Sequence, residues 1–197
     1  MRFNRFIFVY LSFLSFSAII LFIGCNQQEA KTEMTEQQML ERGKLLVTVG
    51  GCDDCHTPKN FGPRGPELNM NRRFSGHPEG TQIPPVDTSL MKYWAFLSHD
   101  MTTAVGPWGI TFSSNITPDN ETGIGSWQLE MFVSAMKTGK HLGVAEGRPI
   151  LPPMPWQNLA QQTDEDLKAI FMFLKSLPAV KNKVPDPIPP HLILVKQ

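Results

Sequence analysis

Five consecutive residues near the start of the chain have the types and spacing needed for iron chemistry. They read Cys52-Asp53-Asp54-Cys55-His56, which is the C-x-x-C-H pattern through which a c-type haem is attached. Two cysteines at this spacing can each form a thioether to one vinyl group of the macrocycle. The histidine that follows can then coordinate the iron from one side. The pattern therefore predicts covalent haem at Cys52 and Cys55, with His56 as the proximal ligand.

Two other uses of a C-x-x-C pair have less support in the sequence. A structural zinc site needs two more cysteine or histidine ligands at short spacing, and the sequence has no second C-x-x-C pair. A thioredoxin-like redox motif lies near a β-α-β pattern, and no such pattern surrounds Cys52. Haem attachment is therefore the favoured interpretation.

A rigid loop far downstream offers a second iron ligand. Met154 lies between Pro153 and Pro155, with Pro152 before them, and proline fixes φ and removes a backbone donor. Such a loop can hold a weakly binding thioether near iron, so we predict Met154 as the distal ligand. A site left open would instead serve catalysis or ligand sensing. Histidines outside the motif are the other candidate ligands: His77, His99, His141 and His191.

The first 24 residues have the pattern of a targeting segment. Arg2 and Arg5 are followed by an uncharged, apolar run from Phe6 to Ile23, which is typical of a signal peptide. The run ends at Gly24-Cys25, and this end is similar to the lipobox of bacterial lipoproteins, with Phe22 where that family prefers leucine. The resemblance implies that Cys25 carries lipid. An uncleaved transmembrane helix is the alternative, and both interpretations export the rest of the chain.

Composition and charge exclude some classes of function. Lysine and arginine total 18, as do aspartate and glutamate, so the formal net charge is zero and no basic stripe suggests nucleic-acid binding. The three cysteines are all assigned, two to haem and Cys25 to lipid, which leaves no unpaired thiol in an oxidising compartment. The 17 prolines and 15 glycines predict many turns and little strand.

Capping residues and apolar spacing predict three helices. The first cap is a capping box, because Thr35 is followed three residues later by Gln38. Thr35 is the predicted N-cap of a helix from Glu36 to about Val49, and Ser126 is the predicted N-cap of a helix from Trp127 to Thr138. Thr163 is the predicted N-cap of the last helix, which ends before Pro178. The predicted organisation is a signal peptide over 1–24, a lipidated cysteine and tether over 25–34, a domain over 35–180 with an irregular insertion at 61–109, and an extended, proline-rich tail over 181–197.

The order of these elements resembles a monohaem class I cytochrome c. Three groups of residues are similar to motifs in the cytochrome c domains of membrane-associated bacterial alcohol and aldehyde dehydrogenase cytochrome subunits. Those subunits usually carry several C-x-x-C-H motifs, whereas this chain has one. The matching motifs are Val47 to Lys59 around the cysteines, Asn115-Ile116-Thr117-Pro118-Asp119 with Gly123-Ile124-Gly125-Ser126-Trp127, and Pro153-Met154-Pro155-Trp156.

The resemblance implies an all-α class I cytochrome c fold, with three to five helices around one covalent haem c and its iron. In such a fold the first and last helices cross, and Gly43 and Phe171 are the candidates for the close contact. Asn115 and Trp127 would support the haem, together with Thr117. Arg148 could pair with a haem propionate as a bidentate donor. These assignments follow from analogy with the family.

The function implied is one-electron transfer by an exported cytochrome on the periplasmic side of a bacterial membrane. Iron ligated by His56 and Met154 would cycle between two oxidation states without a substrate of its own, so the chain is an electron carrier rather than an enzyme. Redox proteins, a dehydrogenase or a respiratory complex, would be its partners, docking on an apolar patch around the haem edge. The alternative is a haem enzyme or small-ligand sensor with a labile distal site.

Overall fold

The computed structural model describes residues 33–193. The predicted signal peptide, Cys25 and nearly all of the predicted tether lie outside this range. Between residues 33 and 193, no helix has both the length and the apolar character that crossing a membrane requires.

Besides three short 3₁₀-helices, five α-helices occur in the described part of the chain. They are α1 (Glu36–Val49), α2 (Cys52–His56), α3 (Leu129–Thr138), α4 (Trp156–Leu159) and α5 (Asp164–Lys175). The capping box of α1 is confirmed, since Gln38 N donates to Thr35 Oγ1 and Thr35 N donates to Gln38 Oε1. Thr163 caps α5 as predicted, by accepting a hydrogen bond from Asp166 N at 3.0 Å.

The start of α3 differs from the prediction. The helix begins at Leu129 with Gln128 as N-cap, instead of at Trp127 with Ser126 as N-cap. The reason is the backbone of Gln128, which is extended with φ of −89° and ψ of 159°, so a helix cannot pass through this residue, while Trp127 N belongs to a preceding turn and donates to Ile124 O at 3.1 Å. Its end agrees with the sequence, because Gly139 follows the helix in the left-handed conformation, with φ of 66°.

Helices α1 and α5 cross with their backbones in close contact. A Cβ atom at Gly43 would overlap Ala169 O and lie 2.7 Å from Phe173 Cβ. The prediction for Gly43 is therefore confirmed, but its partner is not Phe171, which packs on Phe132 of α3 with ring centroids 5.2 Å apart. The apolar residues of α5 face more than one neighbour, and their spacing alone does not say which of them meets α1.

The all-α prediction is not confirmed, because residues 59–112 contain five strands in two antiparallel sheets. Strands β1 (Lys59–Gly62) and β2 (Gly65–Leu68) form a hairpin, and β3 (Phe96–Leu97), β4 (Thr103–Gly106) and β5 (Gly109–Phe112) form a three-stranded sheet in that order. Most of this stretch was predicted to be irregular. The many prolines and glycines of this stretch favoured the prediction of irregular structure. Some of these glycines are turn residues between strands: Gly109, at the turn between β4 and β5, has φ of 103°, which a glycine adopts without strain.

Two apolar cores lie in the described residues. The larger core joins α1, α3 and α5 through buried residues that include Val47, Phe132, Leu167 and Ile170. The smaller core contains Met91, Val105, Ile110 and Phe112. The C-terminal tail packs on this second core, since Ile110 and Ile188 exchange two backbone hydrogen bonds of 2.8 and 2.9 Å.

Candidate haem site

The C-x-x-C-H motif forms its own short helix. Gly51, with φ of 65°, turns the chain between α1 and α2, and the two cysteines are three residues apart on α2, which puts them on neighbouring positions of one helix face. Both cysteines are free of disulfide. Burial raises the pKa of Cys52 to about 11 and also raises the pKa of Cys55. Both sulfurs are therefore thiols at neutral pH, unlike the low-pKa thiolates of C-x-x-C redox sites.

The zinc alternative finds no support in the described residues. Between residues 33 and 193, no group of three histidine, cysteine, aspartate or glutamate side chains is arranged to hold a metal ion. A structural zinc site needs four such ligands.

The imidazole of His56 is fixed by a backbone carbonyl. Nδ1 lies 2.7 Å from Ser114 O, and since a carbonyl only accepts, Nδ1 carries the proton and donates it. The lone pair is then on Nε2, which is the form that binds a metal ion. Burial lowers the pKa of His56, and this effect outweighs the opposite effect of the Ser114 hydrogen bond. The lowered pKa keeps the ring neutral.

Two backbone segments pair behind this histidine. Gly76 N donates to His56 O at 2.8 Å, His77 N to Ser113 O at 2.9 Å, and Ile116 N to Phe74 O at 2.9 Å. A Cβ atom at Gly76 would overlap the backbone of Ser113 and Ser114. The position of the Ser114 carbonyl, and through it the plane of the imidazole, therefore depends on this close approach.

The side chain of Asp53, between the two cysteines, anchors α2 to the segment that contains Arg73. Asp53 receives hydrogen bonds from Arg73 Nε at 3.0 Å and Arg73 Nη2 at 2.7 Å, and a third from Thr57 Oγ1 at 2.7 Å. Thr57 Oγ1 in turn accepts from Phe74 N at 3.0 Å. Burial acts to raise the pKa of Asp53, but the bonds from Arg73 and Thr57 outweigh it, so the pKa of Asp53 is lowered. Sequence reasoning missed this cluster, although an acidic residue inside the motif was visible.

The loop that carries Met154 is held by contacts at both ends. Ile150 N donates to Gly139 O at 2.7 Å, and Thr111 Oγ1 of β5 donates to Pro152 O at 2.9 Å. After the methionine, Trp156 N donates to Met154 O at 2.9 Å. The side chain of Met154 is half-buried and packs on the larger core, as do Cys52 and Trp127. The structure thus brings three predicted site residues to the same core.

Asn115 is buried, and its side chain is fully engaged by the protein. Its amide nitrogen donates to Val180 O at 2.8 Å and Thr122 Oγ1 at 3.1 Å, and its oxygen accepts from Thr117 N at 3.0 Å and Thr117 Oγ1 at 2.7 Å. These contacts fix the loop that follows Ser114 and hold the tail against it. A direct contact of Asn115 with haem stays a prediction.

Trp127 and Arg148, which precedes the loop that carries Met154, both contact His141. The Trp127 ring meets His141 edge-on with centroids 6.1 Å apart, and His141 N donates to Arg148 O at 2.9 Å. Burial lowers the pKa of Arg148 and outweighs the opposite effect of the Asp186 charge, and among residues 33–193 no carboxylate lies within ion-pair distance of the Arg148 guanidinium. A partly desolvated cation of this kind suits an anionic group such as a propionate.

The remaining histidines differ in their surroundings. His77 is buried, with Nδ1 2.9 Å from Thr102 Oγ1 and 3.0 Å from Thr103 Oγ1. His99 stacks on Phe61 with centroids 4.2 Å apart. His141 contacts Trp127 and Arg148, two residues of the predicted site, so it is the competing ligand for which a test of Met154 needs a control.

The residues around the motif and the methionine loop fit a covalently attached haem. They supply two unpaired thiols on one short helix, a neutral imidazole whose Nδ1 is engaged by Ser114 O, a thioether in a stiff loop, and an arginine that forms no close ion pair among the described residues. The larger core joins the first cysteine and the thioether through apolar surface, which is the environment that a macrocycle requires.

Comparison with known proteins gives dehydrogenase subunits as relatives. No family model matches the chain. It is 27% identical to the alcohol dehydrogenase (quinone) cytochrome c subunit of Gluconobacter oxydans over 80% of this chain and 26% of that protein. It is 25% identical to the fructose dehydrogenase cytochrome subunit of Gluconobacter japonicus over 90% of this chain and 31% of that protein. It is 27% identical to the gluconate 2-dehydrogenase cytochrome c subunit of Pantoea cypripedii over 72% of this chain and 24% of that protein.

The chain spans less than a third of the length of each of these relatives. Its similarity covers most of the described residues, so it extends well beyond the five-residue motif. Haem c with iron is the cofactor that cytochrome c homologues imply. The predicted resemblance is thereby confirmed, and the chain is a homologue of the cytochrome c subunits of bacterial dehydrogenases.

Proposed function

We propose that the chain is a one-electron carrier with a single haem attached through Cys52 and Cys55 and ligated by His56 and Met154. The homologues are cytochrome subunits of dehydrogenases, which implies electron transfer. The observation that carries the proposal for this chain is the bond between His56 Nδ1 and Ser114 O, at 2.7 Å. That bond leaves a neutral Nε2 on the same short helix as two free thiols.

Each residue has a separate task in this account. The bound haem supplies an iron that alternates between the ferrous and ferric states. His56 gives a firm imidazole ligand whose orientation Ser114 sets. Met154 gives a soft thioether, which favours the ferrous state and raises the potential. Trp127 and the larger core exclude water, and Arg148 offers a positive charge to a propionate.

The contacts around both ligands suit repeated electron transfer. The imidazole is fixed by the Ser114 carbonyl, and the methionine loop by prolines and by Thr111. Ligands held in this way move little when the charge on the iron changes. A small geometric change favours rapid exchange of an electron over binding of a substrate.

The proposed location of the protein rests on residues outside the described range. We propose that residues 1–24 are a signal peptide and that Cys25 is lipidated. Residues 25–34 then tether a cytochrome domain, residues 35–180, to the periplasmic side of a bacterial membrane. The tail over 181–197 follows this domain, and an uncleaved transmembrane anchor remains the alternative.

The proposed partners are redox proteins, either a dehydrogenase or a respiratory complex. The relatives named above are subunits of dehydrogenases, and that association is transferred to this chain only as a proposal. Without Arg2 and Arg5 of the proposed signal peptide the formal net charge is about −2, which provides little long-range steering, so docking would depend on an apolar patch around the haem edge.

The attachment chemistry is tested on a denaturing gel stained for haem. The wild-type band is expected to stain, and the band of a Cys52→Ser, Cys55→Ser double variant is expected to be colourless. An equilibrium redox titration of the wild type should then follow a one-electron curve, with a tenfold change in the oxidised-to-reduced ratio for every ~59 mV. A colourless wild-type band would contradict covalent attachment, and a substrate-dependent turnover would contradict the carrier role.

A further inference from the structure

A set of apolar side chains projects from the segment that leads into the three-stranded sheet. We infer that this surface, called here the aromatic face, rests against the lipid bilayer. Tyr93 is 74% exposed, Trp94 is 62% exposed and Leu97 is 48% exposed. The members of the aromatic face are Leu90, Tyr93, Trp94, Phe96 and Leu97.

The backbone beneath the aromatic face is well anchored, so the exposure of these rings is a fixed feature. Tyr93 N and Trp94 N both donate to Leu90 O at 3.0 Å. Met91, between Leu90 and Tyr93, is buried in the smaller core. Phe96 and Leu97 form β3, which pairs with Val105 and Ala104 of β4. The turn and the strand therefore hold the side chains outward.

A groove extends the apolar surface beside these rings. It has a volume of about 240 Å³ and is lined by Leu90, Phe96 and Leu97 of the aromatic face, by the apolar residues Ile83, Pro84, Pro85, Val86 and Val105, and by the polar residues Asp87, Ser98 and Thr103. A contiguous apolar area of this kind on an exposed surface marks a place where something binds.

The chemistry of the aromatic face favours lipid as the occupant. Tryptophan and tyrosine combine an apolar ring with a polar group, and they are enriched where a bilayer meets water. From residue 81 to residue 97 the only charged side chains are Asp87 and Lys92, so the segment has no charge excess to match on a protein partner. Lys92 Nζ lies 5.2 Å from the centre of the Tyr93 ring, a pairing that suits the level of lipid headgroups.

The chain outside the described residues makes a bilayer available. This step rests on the membrane anchoring proposed above. A ten-residue tether over 25–34 can extend to roughly 33–36 Å. A domain of about 160 residues has a radius of gyration of about 15 Å. The tether is therefore about as long as the domain is wide, so it allows the domain to reorient beside the membrane, and an exposed apolar face gains by turning toward the bilayer.

The test uses the full-length holoprotein in nanodiscs of phosphatidylethanolamine and phosphatidylglycerol. A nitroxide is attached to Tyr93→Cys, and the matched control is Lys168→Cys, an exposed position on α5. Collision of the label with oxygen, which concentrates in lipid, is compared with collision with a water-soluble nickel complex. The oxygen-to-nickel ratio is expected to be several-fold higher at residue 93 than at residue 168. A second label at Leu97→Cys should show a high ratio that falls when Trp94→Ser is added.

Each outcome decides the inference. If the protein stays on the nanodisc and the label at residue 93 is as accessible to nickel as the label at residue 168, the inference is wrong while the proposed anchor stands. If the protein does not associate with nanodiscs, both the inference and the anchor are wrong. If residue 93 becomes shielded only after a purified dehydrogenase is added, the face binds protein and the lipid assignment is overturned. An unchanged haem spectrum in each variant verifies that the domain is folded.

Discussion

The two sides of the proposed iron site are held by different means. On the proximal side, His56 is fixed by Ser114, while Asp53, Arg73 and Thr57 anchor the same helix with charged and hydroxyl groups. On the distal side, Met154 lies in a loop held by prolines, by backbone bonds and by the hydroxyl of Thr111. Substitutions on the proximal side should therefore mainly lower the free energy of unfolding, whereas substitutions on the distal side should mainly change the ligation of the iron.

The largest effect is expected where the proximal backbone segments meet. Gly76→Ala would introduce a Cβ atom that overlaps the backbone of Ser113 and Ser114. Gly80→Ala is the matched control, because both glycines have φ of 76° but a Cβ atom at Gly80 meets nothing within 4 Å. The control should lose about 1–2 kcal/mol of unfolding free energy to backbone strain alone. Gly76→Ala should lose a further 1–3 kcal/mol or so to overpacking, and equal losses in denaturant melts would contradict the close approach.

The next effect concerns the ion pair between Asp53, inside the C-x-x-C-H motif, and Arg73. Arg73→Met keeps the apolar stem but leaves Asp53, whose side chain is 18% exposed, without its main partner. The cost in unfolding free energy should be about 1–3 kcal/mol, below the range for fully buried pairs. The control is Arg64→Met, which breaks an exposed pair with Glu67 and should cost less than about 1 kcal/mol.

The same pair gives a prediction for pH. The pKa of Asp53 is lowered in the folded state, so its contribution to stability is present above the ordinary carboxyl pKa of about 3.9 and is lost as the pH falls through the lowered value. The difference in unfolding free energy between wild type and Arg73→Met should therefore be constant near pH 7 and shrink below about pH 4. A difference that grows on acidification would contradict the assignment.

The smallest change in stability is expected on the distal side. Thr111→Val removes the hydroxyl that donates to Pro152 O and preserves the shape of the side chain. The loss in unfolding free energy should be about 0.5–1.5 kcal/mol. Thr48→Val is the control, since its hydroxyl also donates to a carbonyl, Lys44 O at 2.8 Å on the exposed face of α1. Only Thr111→Val should reduce the fraction of methionine-ligated iron in the optical spectrum. If both variants left that fraction unchanged, or lowered it equally, the Thr111 hydroxyl would not be what holds the Met154 loop.

Local patterns in the sequence predicted the parts of this site that depend on neighbouring residues. The capping box at Thr35, the cap at Thr163 and the end of α3 at Gly139 are each decided within a few residues. The close approach at Gly43 was predicted because glycine leaves space for a second helix, although its partner on α5 was wrong.

The parts that were missed join residues far apart in the chain. Ser114 O is 58 residues from His56, and the bond between them uses a backbone atom that leaves no mark on the sequence. Asn182 is buried and donates to the carbonyls of Ser75 and His77 across more than 100 residues. Strands β4 and β5 were missed because Gly106 and Gly109 flank the turn between them, and glycine was interpreted as a sign of irregular structure.

The central claim is that Met154 is the distal ligand of the iron. The most direct measurement is the ferric absorption spectrum in the region of the methionine-to-iron charge-transfer band, for wild type, Met154→Ala and His141→Ala. The account predicts a band in wild type and in His141→Ala, and no band in Met154→Ala. A wild-type protein without the band, a band that persists in Met154→Ala, or rapid binding of carbon monoxide to reduced wild type would contradict it.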